Sequence, residues 1–266
     1  MIGSLLAAWT KLRRPALLWG VYAATILVTV LVTTLTFSLA DGGAPAGPPG
    51  APGTGETLAS LAEPTGLLRG LSGSVSVFGI IALCVAASAT AGEYTTGTLR
   101  NLLIRQPRRV RLLAGTWAAV ALFTLGGVLA ATAVGAPMAA VLAGGLNIDT
   151  TAWYTADGLA TSARTLGQVM LAAAGYATLG TALGVLTRAP IPAVALGFGW
   201  LFLVETIIVG TVDGSSRWLP GQLLSAVASH GTAEVGFAAA LVTAAGYLVV
   251  AAAAATVSFA RRDITA

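Results

Sequence analysis

The sequence predicts an all-α membrane protein with six transmembrane helices, and three observations carry that expectation. Hydrophobic residues make up 56% of the 266-residue chain and charged residues only 9%, whereas a soluble globular domain carries about 25% charged residues. The apolar residues arrive in runs of about 20, the length a helix needs to cross a bilayer core about 30 Å thick. The basic residues, which leave a net charge of +4, concentrate between alternate runs, as expected of segments retained in the cytoplasm during insertion.

Taken in order, residues 1–15 read as an amphipathic N-terminal helix, followed by spans over 16–40, 71–91, 112–134, 165–187, 191–210 and 235–260, within one transmembrane domain covering 1–266. The first run is long enough to span and lacks a small-residue cleavage site soon after it, so it is expected to remain as an anchor. Pro137 is expected to kink the third run if it continues towards Ala143. The fourth and fifth are separated only by the tight turn Arg188-Ala189-Pro190.

With the N-terminus inside, the cytoplasmic segments hold Lys11, Arg13, Arg14, Arg100, Arg105, Arg108, Arg109, Arg111, Arg188, Arg261 and Arg262, while Arg69, Arg164 and Arg217 lie outside. Both termini are therefore expected in the cytoplasm. The external segment Asp41 to Gly55 is a Pro/Gly tract too poor in apolar side chains to pack. Gly144 to Arg164, with Trp153 and Tyr154, reads as an interfacial cap. The single cysteine, Cys84, excludes an intramolecular disulfide. No soluble basic face with interleaved aromatics exists, so nucleic acid is not an expected partner.

The most informative stretch is Ala91 to Trp117, AGEYTTGTLRNLLIRQPRRVRLLAGTW. Glu93 to Leu103 is expected to form a short amphipathic helix, ended by Pro107. Two roles fit it. Its arginines suit anionic lipid headgroups, whereas Glu93 at the helix start and Gly97-Thr98 in its middle suit a shaped protein contact; Glu93 also suits the helix dipole there.

Glu93, Gly97-Thr98, Leu102-Leu103, Pro107, Arg109, Leu112-Leu113 and Gly115 together resemble the E-x-x-x-G-T, L-L, P-x-R, L-L-x-G signature of ABC-2 type transporter permeases. Trp9-Thr10-Lys11-Leu12-Arg13 resembles the amphipathic N-terminal helix of that family, and Phe259-Ala260-Arg261-Arg262-Asp263 its cytoplasmic ending. Thr116 departs from the basic residue that many relatives carry there. The resemblance implies the membrane subunit of a bacterial ABC exporter in the plasma membrane, a dimer of permeases, and a separate ATPase subunit that supplies ATP and Mg. It makes 92–111 the coupling segment between spans 2 and 3, with Glu93, Tyr94, Gly97, Thr98, Leu99 and Arg100 as ATPase contacts and Lys11, Arg13 and Arg14 as a second patch. Since spans 2 and 5 line the dimer interface and route in similar transporters, it also brings Ser76, Cys84, Ser88, Phe198, Trp200 and Phe202 near a largely apolar path for a hydrophobic or amphipathic cargo such as a drug, antibiotic, lipid or peptide.

Catalysis by this chain is not expected. A P-loop needs G-x-x-x-x-G-K-[S/T] to cradle phosphates, and Lys11, the only lysine, lies between Thr10 and Leu12. The lone His230 is expected to be solvated or hydrogen-bonded in an external loop, and no His/Cys metal cluster can be assembled. Gly70-Leu71-Ser72-Gly73 matches the G-x-S-G of rhomboid proteases, but His230 precedes the sixth span and a chance match is expected among 33 glycines. Glu205 is the one acidic residue well inside a run; its place towards the outer end suggests a carboxylate reaching external water, the alternative being the coupling site of an ion-driven secondary transporter. Gly180-x-x-x-Gly184 and the Gly197/Gly199 pair permit close helix approach.

Overall fold

The computed structural model describes residues 2–40, 57–96 and 109–261. Six of its helices are long and apolar enough to cross a membrane, and they are numbered spans 1 to 6: Pro15–Ser38, Val75–Thr95, Arg109–Gly145, Ala156–Thr187, Pro190–Thr211 and Phe237–Arg261. Among the described residues there is no strand. The Pro/Gly tract Asp41 to Gly55 lies outside the described residues.

The boundaries have local causes. The N-terminal helix Ile2–Leu12 stops before Pro15, whose ring forces the preceding Arg14 into an extended conformation (φ −57°, ψ 129°) and then starts span 1 as its first helical residue. Span 3 runs through Pro137 to Gly145. Span 4 begins nine residues earlier than the apolar run, because the Thr155 hydroxyl accepts the Gly158 N–H and caps the helix there. It ends where Arg188 adopts the left-handed conformation (φ 58°) and Pro190 restarts the chain as span 5. Span 5 is not one continuous α-helix: Gly199–Val204 is π-helical, between Pro190–Phe198 and Glu205–Thr211. Such stretches are rare and favour functional sites.

Span 4 forms the centre of the bundle, with 61% of its most apolar window buried, against 17% for span 5 and 11% for span 6. Spans 2 and 4 approach closely because Gly180 faces the Leu83 carbonyl, where a Cβ would clash with backbone. Span 1 buries threonines, whose hydroxyls return to the helix's own carbonyls: Thr25 to Tyr22, Thr29 to Thr25 and Thr33 to Thr29, at 2.7–3.0 Å.

The bundle has two distinct ends. At one, Leu112, Leu113, Val185, Ala255 and Phe259 cluster beside Tyr94 and Trp117, and Lys11, Arg13, Arg14, Arg188 and Arg261 lie around them. At the other, Leu61 of the short helix Leu58–Ala62 clusters with Phe37 of span 1, Ala139 and Ala143 of span 3 and Trp153 of the span 3–4 connection. Trp153 belongs to this second end but is no interfacial anchor. It is fully buried, its indole N–H donates to the Leu61 carbonyl at 3.0 Å, and its ring meets Phe37 edge-on, while Tyr154 is the exposed one of the pair.

Between spans 5 and 6 the chain turns back into the bundle as the nine-residue helix Pro220–Ala228. Leu223, Leu224 and Val227 of this inserted helix are buried in the main core with Val169, Ala172 and Tyr176 of span 4 and Val75 and Phe78 of span 2.

Candidate functional site

At the arginine-rich end, Glu93 and Tyr94 stand in the last turn of span 2, not at the start of a separate helix. The span 2 helix continues to Thr95 because the Thr95 and Thr96 hydroxyls donate to the Gly92 carbonyl, at 3.3 and 2.7 Å, and satisfy its terminal acceptors. Glu93 therefore opposes the helix dipole instead of complementing it. The opposing charge comes from Lys11, in the last turn of the N-terminal helix, whose Nζ donates to Glu93 Oε1 at 3.1 Å. Glu93 is buried and Lys11 partly exposed. The two residue sets that the sequence placed in separate patches are thus joined by an ion pair.

Tyr94 makes three elements meet. The Arg188 guanidinium lies 5.8 Å from its ring centroid, and Phe259 of span 6 packs edge-to-face at 6.4 Å. The root of the segment after Thr96 is accordingly fixed to the span 4–5 turn and to the end of span 6. Gly97, Thr98, Leu99 and Arg100 lie outside the described residues. Arg13 and Arg14 are exposed beside the ion pair.

The second cluster surrounds Glu205, and here the expectation of a water-reaching carboxylate is corrected: the residue is fully buried. Oε1 accepts the Gly221 N–H at 2.9 Å and the Trp200 indole N–H at 3.1 Å, and Oε2 accepts the Gln222 N–H at 3.1 Å. Pro220 occupies the first helical position of the inserted helix, so Gly221 and Gln222 carry its first free amides. The acid caps this helix from another element, where an anion is also favoured by the helix dipole. It stands at the start of the last α-helical segment of span 5, Glu205–Thr211, and not at the end of that span.

The network continues through the inserted helix. The Tyr176 hydroxyl donates to the Gly221 carbonyl at 2.8 Å and lies 3.2 Å from Ser225 Oγ, which in turn lies 2.9 Å from Ser76 Oγ of span 2. Glu205, Tyr176 and Ser76 thereby hold one short helix against spans 5, 4 and 2. Tyr176, Gly221 and Ser225 were missed in the sequence, where Pro220 to Ala228 is too short to register as a span; its proline followed by an apolar run was the available signal.

The proposed path residues do not converge. A cavity of about 320 Å³ is lined by Leu83, Leu183, Leu196, Trp200, Leu201 and Ala251 among others, almost wholly apolar. Of the six path candidates and Glu205, also expected on the path, only Trp200 lines it. Phe198 and Phe202 stack at 5.2 Å on the exposed side of span 5. Ser88 is exposed, and Cys84 is half-buried against the main core.

At the far end, His230 has φ 61° and its Nε2 lies 2.9 Å from the Thr165 hydroxyl. Partial burial, then the nearby Arg69 and Arg164 charges, hold its pKa below the usual histidine value. Ser72 donates to the Arg69 carbonyl at 3.0 Å, so the hydrogen bonds of the serine and of the imidazole Nε2 run to different partners. Among the described residues no group of three or more His, Cys, Asp or Glu side chains is placed to hold a metal ion.

No curated protein matches the chain. A family model described as "Protein of unknown function (DUF2705)" matches residues 55–265, which takes in spans 2 to 6, Glu93, the Glu205 network and the inserted helix. The chain therefore belongs to this family.

Proposed function

We propose that this chain is the membrane permease subunit of a bacterial ABC exporter, working as a dimer of permeases in the plasma membrane with both termini in the cytoplasm. A separate ATPase subunit binds ATP and Mg and performs the hydrolysis; the permease itself does no bond chemistry and moves a hydrophobic or amphipathic cargo. The reading draws on six apolar helices, the E-x-x-x-G-T to L-L-x-G pattern between spans 2 and 3, and the clustering of basic side chains at one end of the bundle.

The observation that carries it is the position of Tyr94. A push delivered to the segment after Thr96 would reach the span 4–5 turn through Arg188 and span 6 through Phe259, within one packed contact each. Rigid coupling of this kind is what converts closure of an external ATPase into rearrangement of a helix bundle. The apolar cavity at Trp200 suits an apolar cargo.

The test is purification of the tagged protein in mild detergent with its native neighbours expressed. Stoichiometric recovery of a P-loop ATPase, with ATPase activity lost in a Glu93→Ala, Arg100→Ala double variant that still purifies as a folded protein, is the expected result. Undiminished ATPase stimulation by that variant would remove the docking assignment.

One observation favours a second reading, an ion-coupled secondary transporter with Glu205 as coupling carboxylate: this acid is fully buried directly after a π-helical stretch. That reading requires transport by proteoliposomes under an ion gradient without ATP, abolished in Glu205→Gln. The three N–H donors on its carboxylate give the residue a structural task that the coupling role does not need.

A further inference from the structure

A second cavity, of about 410 Å³, opens at the arginine-rich end between the N-terminal helix and spans 1, 2 and 3. Its polar lining is Lys11, Arg14, Glu93, Thr96 and Thr116, and its apolar lining includes the exposed Leu17 and the buried Val120. The volume falls within the range of about 300–1,000 Å³ typical of small-molecule sites. Arg13 is also exposed but does not line it.

Three features select the occupant. Among the described residues the mouth carries two cations, Lys11 and Arg14, and one carboxylate, Glu93. Lys11 uses one of its three N–H donors on Glu93 at 3.1 Å and keeps two, and Arg14, which forms no ion pair among the described residues, brings five. The cavity also lies at headgroup depth: span 1 starts at Pro15, and one turn along it the indole of Trp19 is 71% exposed, the position aromatic residues take at a membrane interface.

We propose that this cavity is a binding site for one anionic phospholipid, its phosphate held by Arg14 and Lys11 and an acyl chain lying along the exposed Leu17. A phosphodiester without a cationic headgroup suits the two cations among the described lining residues, whereas a zwitterionic lipid brings a further cation towards them. Bound there, the lipid bridges the N-terminal helix to span 1 beside the Lys11–Glu93 pair. The site does not depend on whether an ATPase docks on this end.

The experiment is native mass spectrometry of the detergent-purified full chain, titrated with equal amounts of phosphatidylglycerol and phosphatidylcholine. Wild type is expected to retain one phosphatidylglycerol in preference to phosphatidylcholine. Arg14→Gln should reduce that retention about tenfold, the loss of a charge-assisted contact, while Arg13→Gln, with the same change of charge on a residue outside the cavity, should leave it unchanged. Millimolar inorganic phosphate should not displace the lipid. Equal retention of the two lipids, equal loss in both variants, no loss in Arg14→Gln, or displacement by phosphate alone would each overturn the site.

Discussion

The Gly221 amide donates to the Glu205 carboxylate at 2.9 Å, so that an acid in the fifth span caps a helix beginning fifteen residues later in the chain. That contact ties the first turn of the inserted helix to span 5. It also converts Glu205 from an isolated membrane acid into a structural group with three N–H donors.

Removing the acid leaves two backbone amides and the Trp200 indole without their acceptor in a water-poor site, at about 1–3 kcal/mol for each group left unsatisfied. Glu205→Ala is expected to lose ~3 kcal/mol or more, seen as a clear drop in the thermal midpoint of the detergent-purified protein. Glu205→Gln retains one acceptor oxygen and should fall between Ala and wild type. An unchanged midpoint in Glu205→Ala would show that the inserted helix is held by its apolar contacts alone.

Gly221 faces the same carboxylate from close range. A Cβ there would come within 2.5 Å of Glu205 Oε2 and 2.7 Å of Leu201 Cδ2. Alanine is the better helix former by about 1 kcal/mol, yet Gly221→Ala is expected to destabilise the protein by about 1–3 kcal/mol, because overpacking of a filled site outweighs propensity. In the Glu205→Ala background the penalty should shrink, and melting of the two single variants and the double one measures that difference.

Number and order of the long helices were legible because a membrane span is read from length and apolar content, and each of the six runs meets both tests. The helix ends were less legible. Span 4 starts at a Thr155 cap among polar residues that a hydropathy reading excludes, and Glu93 belongs to span 2 because Thr95 and Thr96 prolong it. The Glu205 network was hidden for another reason: its partners are backbone amides of Gly221 and Gln222, which no side-chain pattern announces. Glu93 and Lys11 were each singled out by type and position, while their pairing across 82 residues is a tertiary fact.

His230 is the only histidine of the chain, so one imidazole signal in histidine-labelled protein reports its titration without assignment. Its folded pKa lies below the usual 6.5, through burial first and then through Arg69 and Arg164. The neutral imidazole is therefore the form the fold prefers. Its contribution to stability is present above the unfolded value and is lost as pH falls from 6.5 through the folded pKa. Arg164→Gln should move the signal's midpoint towards 6.5, and His230→Gln should flatten stability against pH in that window. A midpoint at or above 6.5 in wild type would contradict the packing around Thr165.

The Lys11–Glu93 pair predicts an asymmetry between its two halves. The Lys11 side chain is 38% exposed and that of Glu93 only 9%, so each responds differently to the loss of its partner. After Glu93→Gln, Lys11 turns to water with little cost. After Lys11→Gln, a nearly buried carboxylate remains at the negative end of the span 2 helix dipole without the ammonium that offset it. Lys11→Gln should therefore destabilise more than Glu93→Gln, and the double variant should recover part of that loss, giving a coupling of ~1 kcal/mol at low salt. The check is a double-mutant cycle by thermal unfolding in detergent, repeated at high salt, where the exposed side of the pair is screened and the coupling should fall. Equal costs for the two single variants, with no coupling between them, would mean that the N-terminal helix is held to the bundle by Ala8 and Leu12 in the cluster with Ala86 of span 2 and Val120 and Phe123 of span 3, and that the charge pair contributes nothing to that contact.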